Sequence, residues 1–443
     1  MNFQNYKDFL LAHGCKKIYI KELSLNDNSK NQVYFGNSFE ILNILPISEV
    51  KTEEAGEWKK ERFKASLNFS WITENFEISP APYAQLILYP KYPEVRFSGF
   101  LSKCEKAPSF LMSHRLPNRF LFLSVSKNGK ILGFVADEKS DIVKDFQNVH
   151  PLTEHGIFKI VELPEVLNNR ERLFQEILRI HQLGWIKSKR LDKNSNKLPC
   201  NAPNCGGYTL EAELGITPNG YSDPDFLGWE IKQFGVANFS NIESAIITLM
   251  TPEPTDGLYK SEGTESFIRK YGYADKGGIA DRINFGGIHK YGVRHHQTHL
   301  RLCILGIDEN TGKIRNSNGK IALMDDDGIE TASWSFASML LHWNRKHNQA
   351  CYIPSLSSQE NNRQYKYGNE VILGIGTDFQ LFLKELVSGN IYYDPGIKME
   401  NASKSPKIKK RSQFRIKSKY LKNLYKSSEN IDVTKHSFSM ESN

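Results

Sequence analysis

The chain lacks the long apolar run that a membrane-spanning helix requires. No stretch approaches the roughly 18–20 apolar residues needed to cross a bilayer, although hydrophobic residues make up 39% of the 443 residues. The first seven residues show neither the basic start nor the apolar segment of a secretory signal. We therefore expect a cytoplasmic protein that has no membrane partner.

Cysteine is also scarce, with six residues at positions 15, 104, 200, 205, 303 and 351. In a cytoplasmic protein such cysteines are more often reduced than bridged. Cys200 and Cys205 are separated by four residues, but no matching Cys or His pair follows closely, so zinc is disfavoured. The other candidate metal cluster is His295, His296 and His299, for which phosphate contact or surface exposure is favoured over metal binding.

Positive charge is concentrated near the C-terminal end. The formal net charge is +8, and the segment Lys404–Lys426 alone holds ten Lys or Arg residues and no Asp or Glu. Subtracting these ten charges leaves the rest of the chain at −2, so the basic character is local. Such a segment attracts a polyanion. A disordered basic tail is the alternative, and the apolar residues of the segment oppose it: Phe414, Ile416, Tyr420, Leu421, Leu424 and Tyr425.

The residues with the clearest chemistry are Asp225, Glu230 and Lys232. Side chains two apart in a strand point to the same face, so Glu230 and Lys232 project together while Trp229 and Ile231 face the core. A glycine-containing bend can fold Asp225 back beside Glu230. Two carboxylates are ligands that Mg²⁺ prefers, and the ammonium can serve an attacking water. The same pattern also arises by chance in solvated strands.

A short helix is predicted just upstream of this run. Thr209 is a candidate cap, and Leu210 and Leu214 lie on one apolar face. Glu211 is a candidate further acid of the site, whereas Glu213 is expected to be solvated, since it lies roughly 200° further round the helix. A second helix is predicted from about Arg170, with Gly184 as its stop.

Downstream, the apolar run Ser244–Thr251 predicts a buried strand. A helix, then a hairpin with carboxylates, then a central strand is the order of the PD-(D/E)xK nuclease core. From roughly Leu173 to Tyr425 the chain resembles the MvaI/BcnI restriction endonucleases, relatives of the mismatch-repair nickase MutH. Eight ordered segments carry the resemblance: 184–190, 207–211, 224–232, 247–254, 268–272, 334–337, 350–353 and 414–416.

This resemblance implies an α/β restriction-endonuclease-like fold of the MutH-like, PD-(D/E)xK type. It gives Asp225, Glu230 and Lys232 the catalytic places, Asp225 and Glu230 the Mg²⁺ ligands, and Glu211 a place in the same site. It also implies that the segment after the last core strand contacts base edges in the major groove. The DNA-binding residues expected there are Asp394, Lys398, Lys409, Lys410, Arg411 and Arg415.

Within that set, Asp394 could accept a hydrogen bond from a cytosine amino group, and Arg411 or Arg415 could make the bidentate contact to guanine. Arg415 aligns with a recognition arginine of the family. The histidines that the family can carry just ahead of it are replaced here by Lys409, Lys410 and Arg411.

The first 160 residues are predicted to be mostly β, with strand-like runs at 17–21, 84–89, 95–100, 119–125 and 131–135. Residues 19–27, followed by Asn31 and Gln32, resemble the start of the EcoRII N-terminal effector domain, a DNA-binding pseudobarrel. The resemblance implies two DNA-gripping arms, the second placed only by its order along the chain; a purely structural role stays open for these residues. The arm residues are Ser24, Asn26, Asp27 and Gln32, then His114, Arg115, Asn118 and Arg119.

We therefore expect a β-barrel effector domain (1–160), an endonuclease domain (161–430) and a tail (431–443). The predicted function is a Mg²⁺-dependent type II restriction endonuclease, of the effector-stimulated type IIE, that cuts double-stranded DNA at CC(A/T)GG or a close variant. Two copies of the site and a cognate DNA methyltransferase are the expected partners, with monomer or homodimer left open. The rival hypotheses are a MutH-like nickase and a non-catalytic DNA-binding regulator.

Overall fold

The computed structural model describes residues 1–25, 31–54, 61–91, 94–114, 116–149, 152–163, 169–202, 204–217, 225–359 and 363–436. The chain divides into two compact units, Met1–Arg170 and Glu171–Asn443. We call them the N-terminal and C-terminal units. In the ranges above, the helices are all too short or too polar to span a membrane.

The N-terminal unit is mostly β structure. Its helices are α1 (Phe3–Ala12), α2 (Ser109–Ser113) and α3 (Asp141–Gln147). Its strands are β1 (Lys17–Leu23), β2 (Val33–Tyr34), β3 (Ile47–Glu53), β4 (Arg62–Leu67), β5 (Phe69–Ile72), β6 (Ile78–Pro80), β7 (Gln85–Tyr89), β8 (Glu94–Ser98), β9 (Arg119–Val125), β10 (Ile131–Asp137), β11 (Thr153–His155) and β12 (Phe158–Glu162). The five runs predicted as strands correspond to β1, β7, β8, β9 and β10.

Two sheets enclose an aromatic core in this unit. Their strand orders are β11-β12-β1-β9-β10-β5-β6 and β2-β8-β7-β4-β3. Phe69 of the first sheet contacts Phe97 of the second, with ring centroids 5.1 Å apart. Gly133 lies under Phe69, and a Cβ there would be 2.4 Å from Phe69 Cζ, so only glycine allows this close approach.

The C-terminal unit mixes helices and strands. Its helices are α4 (Asn169–Gln182, whose first turn contains the division), α5 (Cys205–Glu213), α6 (Leu258–Ser261), α7 (Gly263–Tyr271), α8 (Phe336–His347) and α9 (Phe379–Val387). Its strands are β13 (Ile186–Lys187), β14 (Lys189–Leu191), β15 (Lys197–Pro199), β16 (Glu230–Gly235), β17 (Ile246–Met250), β18 (Tyr273–Ala274), β19 (Arg282–Gly286), β20 (Arg301–Leu305), β21 (Lys320–Met324), β22 (Glu330–Ser335), β23 (Gln349–Ser358), β24 (Gln364–Tyr367), β25 (Glu370–Ile375), β26 (Ile391–Tyr393), β27 (Gly396–Glu400), β28 (Lys407–Lys409), β29 (Phe414–Lys417) and β30 (Ser427–Asp432).

The sheet that carries the candidate site has the order β13-β24-β23-β25-β30, and β16 joins it by parallel pairing with β23. Trp229 and Ile231 are buried in its core, as the alternation of the strand predicts. The same core includes Leu173 and Phe174 of α4 and Leu210 of α5. Strand β30 reaches Asp432, two residues into the segment that we assigned to a tail.

The helix predicted to begin at Thr209 begins four residues earlier, at Cys205. Thr209 lies inside α5, where its hydroxyl accepts from Lys189 N at 3.1 Å and donates to Lys189 O at 3.2 Å. The prediction of a Thr209 cap was therefore wrong, because the hydroxyl bonds a neighbouring strand instead. Glu213 is not simply solvated, since it forms ion pairs with Lys189 and with Arg179.

The apolar run Ser244–Thr251 does form a strand, β17, but not a central strand of the sheet that contains β16. Strand β17 pairs with β29 in a separate sheet of order β17-β29-β26. The ladder partner of β16 is β23, whose register places Lys232 opposite Tyr352. The central place that we predicted for the run 244–251 belongs to β23, because parallel pairing joins strands that are far apart in sequence.

The expectation that the cysteines are reduced was wrong for one pair. Cys200 and Cys205 form a disulfide, and both residues are buried. Cys200 follows β15 and Cys205 opens α5, so the bond ties the β14–β15 hairpin to the start of the helix. Cys15, Cys104, Cys303 and Cys351 are free thiols.

A buried histidine network lies in the segment between β19 and β20. His289 is fully buried, with Nδ1 3.0 Å from Gly287 O and Nε2 2.8 Å from Thr298 Oγ1. A neutral imidazole satisfies both partners by donating from Nδ1 and accepting on Nε2. Burial lowers the pKa of His289 to about 3, with a further contribution from His295.

His295 belongs to this network instead of the surface. It is buried, its ring centroid lies 4.4 Å from that of His289, and its pKa is lowered mainly by burial. The prediction of exposure or phosphate contact therefore fails for His295, while His296 and His299 are exposed. The residues that the structure describes contain no group of three or more metal-ligating side chains.

This network predicts a loss of stability in acid. An unfolded histidine has a pKa of about 6.5, so the depressed pKa of His289 stabilises the fold above that pH. The stabilisation declines as the pH falls from 6.5 towards 3, by about 2 kcal/mol between pH 7 and pH 5. We expect His289→Gln to reduce the pH dependence of the unfolding free energy, measured by urea titration at both pH values. His299→Gln, which removes an exposed histidine of the same segment, is the control, and equal slopes for wild type and His289→Gln would contradict the prediction.

Candidate functional site

A tight hairpin turn brings Asp225 back against strand β16. Phe226 N donates to Trp229 O at 2.9 Å, and Trp229 N donates to Phe226 O at 2.8 Å. The two residues between them, Leu227 and Gly228, both have positive φ, at 50° and 86°. Such φ values are those of the type I′ turn that joins twisted strands. As a result Asp225 Oδ2 accepts from Ile231 N at 3.3 Å.

Glu230 and Lys232 form an ion pair on one face of the strand. Lys232 Nζ lies 2.6 Å from Glu230 Oε1, as expected for side chains two apart. The Glu230 side chain is only 1% exposed, whereas that of Lys232 is 23% exposed. A buried carboxylate is costly without a countercharge, and the Lys232 ammonium supplies that countercharge.

Two tyrosines lie behind this pair. Tyr352, opposite Lys232 in the ladder, hydrogen-bonds Tyr425 with 2.7 Å between their hydroxyl oxygens. Burial raises the pKa of both phenols, and the negative charge of Glu230 raises each pKa further. Both phenols therefore stay neutral.

The structure places Glu211 on the adjacent helix without joining it to the two carboxylates. Helix α5 packs closely on β16 at Gly206: a Cβ at this position would lie only 2.8 Å from Gln233 Oε1. Glu211 is half-buried on the side of α5 that also carries Gly207. In the described part of the chain, Glu211, Asp225 and Glu230 do not form a three-membered ligand group.

Four of the predicted DNA-binding residues line one cleft of about 550 Å³. They are Lys398, Lys409, Lys410 and Arg411. Lys276 joins them from the glycine-containing turn between β18 and β19. Lys409 Nζ pairs with Glu400 Oε2 at 3.5 Å, and the Asp275 carboxylate also lines the cleft. Sequence reasoning missed Lys276, since a single lysine in a turn has no pattern to mark it.

The other two predicted residues, Asp394 and Arg415, form a pair on a different sheet. Arg415 Nη1 lies 2.5 Å from Asp394 Oδ2. Both side chains are partly exposed, at 26% for Arg415 and 20% for Asp394. The groups predicted to contact guanine and cytosine are therefore already in contact with each other.

The N-terminal unit has a cleft of its own, of about 320 Å³. Three of the predicted arm residues line it: Ser24, Gln32 and Arg119. Arg96 adds a guanidinium that sequence reasoning missed, held by Glu94 Oε1 at 2.5 Å and by Gln32 Oε1 at 3.4 Å. Lys21 and Tyr34 also line this cleft, which we call the N-terminal cleft.

Among the described residues of the second predicted arm, Arg119 lines the N-terminal cleft but His114 and Asn118 do not. His114 and Asn118 are exposed, and Asn118 hydrogen-bonds Glu138. Arg119 is only 2% exposed and donates to the main-chain oxygens of Leu116, Leu111 and Ser24. Its guanidinium therefore fastens main-chain segments at the floor of the cleft, a different role from the DNA contact that we predicted. Asn26, Asp27 and Arg115 lie outside the described residues.

Comparison with known proteins places the C-terminal unit in a family. The MvaI/BcnI restriction endonuclease family model matches residues 174–425. A solved complex of the restriction endonuclease MvaI with cognate DNA is 21% identical, covering 59% of this chain and 97% of that chain, with a TM-score of 0.44. MvaI without DNA is 20% identical over the same shares, with a TM-score of 0.32.

A search of the curated proteins finds no match. The family model alone spans more than half of the chain and includes Asp225, Glu230, Lys232 and Arg415. The protein therefore belongs to the MvaI/BcnI restriction endonuclease family.

Proposed function

We propose that the protein is a Mg²⁺-dependent type II restriction endonuclease that cuts both strands of a short DNA site. The observation that carries this proposal is the convergence of Asp225, Glu230 and Lys232 on strand β16. Strand β16 has β23 as its ladder partner within the described residues. The arrangement supports a PD-(D/E)xK centre.

The donor set fits Mg²⁺. Asp225 and Glu230 supply carboxylate oxygens from neighbouring positions of one hairpin, and Asp225 is held there through Ile231 N. Magnesium is commonly bound by one or two carboxylates while it keeps several waters and a phosphate oxygen. Bound by these two residues, it would offset charge on the phosphate and favour ionisation of a water.

Lys232 has a separate task. Its ammonium is fixed by Glu230 at 2.6 Å yet remains partly exposed, so it can donate a hydrogen bond to the attacking water. Its positive charge also offsets the negative charge that develops on the phosphate oxygens. In-line attack of that water would leave a 5′-phosphate and a 3′-hydroxyl, as the family implies.

Two surfaces of the C-terminal unit divide the work of DNA binding in this proposal. The cleft lined by Lys276, Lys398, Lys409, Lys410 and Arg411 offers several cations to the phosphate backbone, where contacts position the duplex without reading sequence. The pair Asp394 and Arg415 offers an acceptor for cytosine and a donor fork for guanine. The proposed target is CC(A/T)GG or a close variant.

We further propose that the N-terminal unit binds a second copy of the site and stimulates cleavage, which would make the enzyme type IIE. Supporting this, the N-terminal cleft brings Arg96 together with Lys21, Ser24 and Gln32 of one earlier segment. Cations and hydrogen-bonding side chains in one concave surface suit a DNA duplex. A cognate methyltransferase would protect the host copies of the site.

Loss of the ammonium should abolish cleavage. We expect Lys232→Ala to lower the cleavage rate of a supercoiled plasmid with Mg²⁺ by roughly a hundredfold or more, because it removes a group that acts in the transition state. Mapping the ends on DNA of known sequence then gives the site and the phosphate attacked. DNA binding, measured by gel shift, should persist in the variant.

Controls separate chemistry from folding in this experiment. Lys193→Ala removes an exposed lysine of the same unit and should cut like wild type. Lys232→Arg keeps the positive charge beside buried Glu230. If this variant has wild-type thermal stability but cleaves slowly, the position of the ammonium matters for the reaction and the charge alone does not suffice. Wild type that nicks only one strand would favour a MutH-like nickase, and wild type that never cuts would favour a DNA-binding regulator.

If the N-terminal cleft binds effector DNA, a substitution in it should change the stimulation of cleavage by added DNA and leave unstimulated cleavage intact. Adding a short duplex that carries the site should accelerate cleavage of a one-site plasmid by wild type. Arg96→Ala should raise the effector concentration needed by roughly tenfold, because a lost guanidinium contact to DNA costs about 1–3 kcal/mol. Cleavage without added effector should change little.

Arg62→Ala is the matched control for this test. Arg62 lies in the same sheet and has the same kind of partner, Glu53 Oε2 at 2.7 Å, yet it does not line the N-terminal cleft. Unchanged stimulation in Arg96→Ala, or no stimulation of wild type by any added duplex, would rule out the effector role for this cleft.

A further inference from the structure

Arg415 is held by more than Asp394. It lies on β29, the middle strand of its sheet, opposite Thr248 on one side and Tyr392 on the other. Arg415 Nε donates to Thr248 Oγ1 at 3.2 Å while Nη1 pairs with Asp394 at 2.5 Å. Two positions of the guanidinium are thus fixed from two different strands.

The bonds continue beyond Thr248 and return to Asp394. The Thr248 hydroxyl donates to Gln413 Oε1 at 3.2 Å, and Gln413 Nε2 donates to Asp394 O at 3.3 Å. Asp394 N in turn donates to Gln413 O at 2.8 Å. In this ring the Thr248 hydroxyl accepts one hydrogen bond and donates another, and the Gln413 amide accepts through Oε1 and donates through Nε2. Gln413 is 4% exposed, so the ring is closed off from water on that side.

The local strand geometry contributes to this ring. The ladder between β17 and β29 shifts register between Thr248 and Met250, so Leu249 is an extra residue on β17. Irregularities of this kind re-aim the side chains beside them. Here the side chain concerned is Thr248, which lies opposite Arg415.

The ring leaves the reading edge of the guanidinium available. Arg415 uses Nε and one Nη1 hydrogen, and among the described residues its Nη2 hydrogens take no partner. A bidentate contact to guanine O6 and N7 needs two such N–H groups in a fixed plane. A guanidinium fixed in this way has already lost its rotamer freedom before DNA binds, so binding does not have to supply that entropy cost.

We propose that Thr248 and Gln413 are positioning residues that orient Arg415 and Asp394 for reading one C·G pair of the DNA site. This inference rests on the proposed function, in which that pair contacts bases. Neither Thr248 nor Gln413 needs to touch DNA, because both act by fixing the plane of the Arg415 guanidinium.

The test compares Thr248→Val, which removes only the hydroxyl, with Thr248→Ser, which keeps it. Binding of the full-length proteins is measured by fluorescence anisotropy in the presence of a metal chelator. The DNA is a short CC(A/T)GG duplex and a set of duplexes in which one C·G pair at a time is replaced by T·A. We expect Thr248→Val to lose roughly tenfold in discrimination at one C·G pair and little at the others. Thr248→Ser should restore it. In cleavage assays with Mg²⁺, KM should rise more than kcat falls.

Thr331→Val is the control, since Thr331 also uses its hydroxyl inside the unit, at 2.9 Å from Leu323 O, but lies away from this ring. If Thr248→Val fails to fold, Gln413→Met breaks the same ring from its other side and is tested in the same way. An unchanged discrimination profile, or an equal loss on every duplex, would overturn the inference.

The two proposals fail separately in this design. Wild type that cuts DNA without discriminating among the duplexes overturns the inference and leaves the nuclease standing. Wild type that discriminates among the duplexes but never cuts overturns the nuclease, while the variants still decide the roles of Thr248 and Gln413.

Discussion

The ion pair between Glu230 and Lys232 is the interaction on which the rest of the site depends. The Glu230 carboxylate is 1% exposed, and the Lys232 ammonium 2.6 Å away supplies the countercharge that a buried carboxylate requires. Strand geometry fixes both groups on one face, and the Leu227–Gly228 turn adds Asp225. The sheet core behind them, with Trp229 and Ile231, keeps this arrangement rigid.

Paired charges recur at both proposed DNA-reading surfaces. Arg415 is held by Asp394 in the C-terminal unit, and Arg96 is held by Glu94 in the N-terminal unit. A guanidinium that is already fixed by a carboxylate and by neutral hydrogen-bonding groups loses less freedom on binding. Each unit therefore carries an oriented donor fork, whereas in the proposed DNA complex the lysines around Lys409 and Lys410 would serve the less specific attraction of phosphate.

Prediction from sequence worked where a local rule decides the structure. Alternation placed Ile231 in the core and Lys232 beside Glu230, and glycine placed the turn before them. It failed where a distant segment competes: Thr209 bonds Lys189 instead of capping a helix, and β17, predicted as a central strand, pairs with β29 in a separate sheet. Cys200 and Cys205 are close only because the β14–β15 hairpin folds onto α5. The roles of the site residues stay predictions.

The sequence by itself determined the type of chemistry, because carboxylates, lysine and a basic segment fix which charges are available and two-residue periodicity fixes their face. It also determined the family, through ordered matches along one half of the chain. Only the tertiary structure decided which partners meet: Thr248 and Gln413 with Arg415, Lys276 with Lys398, and His295 with buried His289. The physical reason is that these contacts join strands and turns far apart in the chain, where no local spacing records their approach.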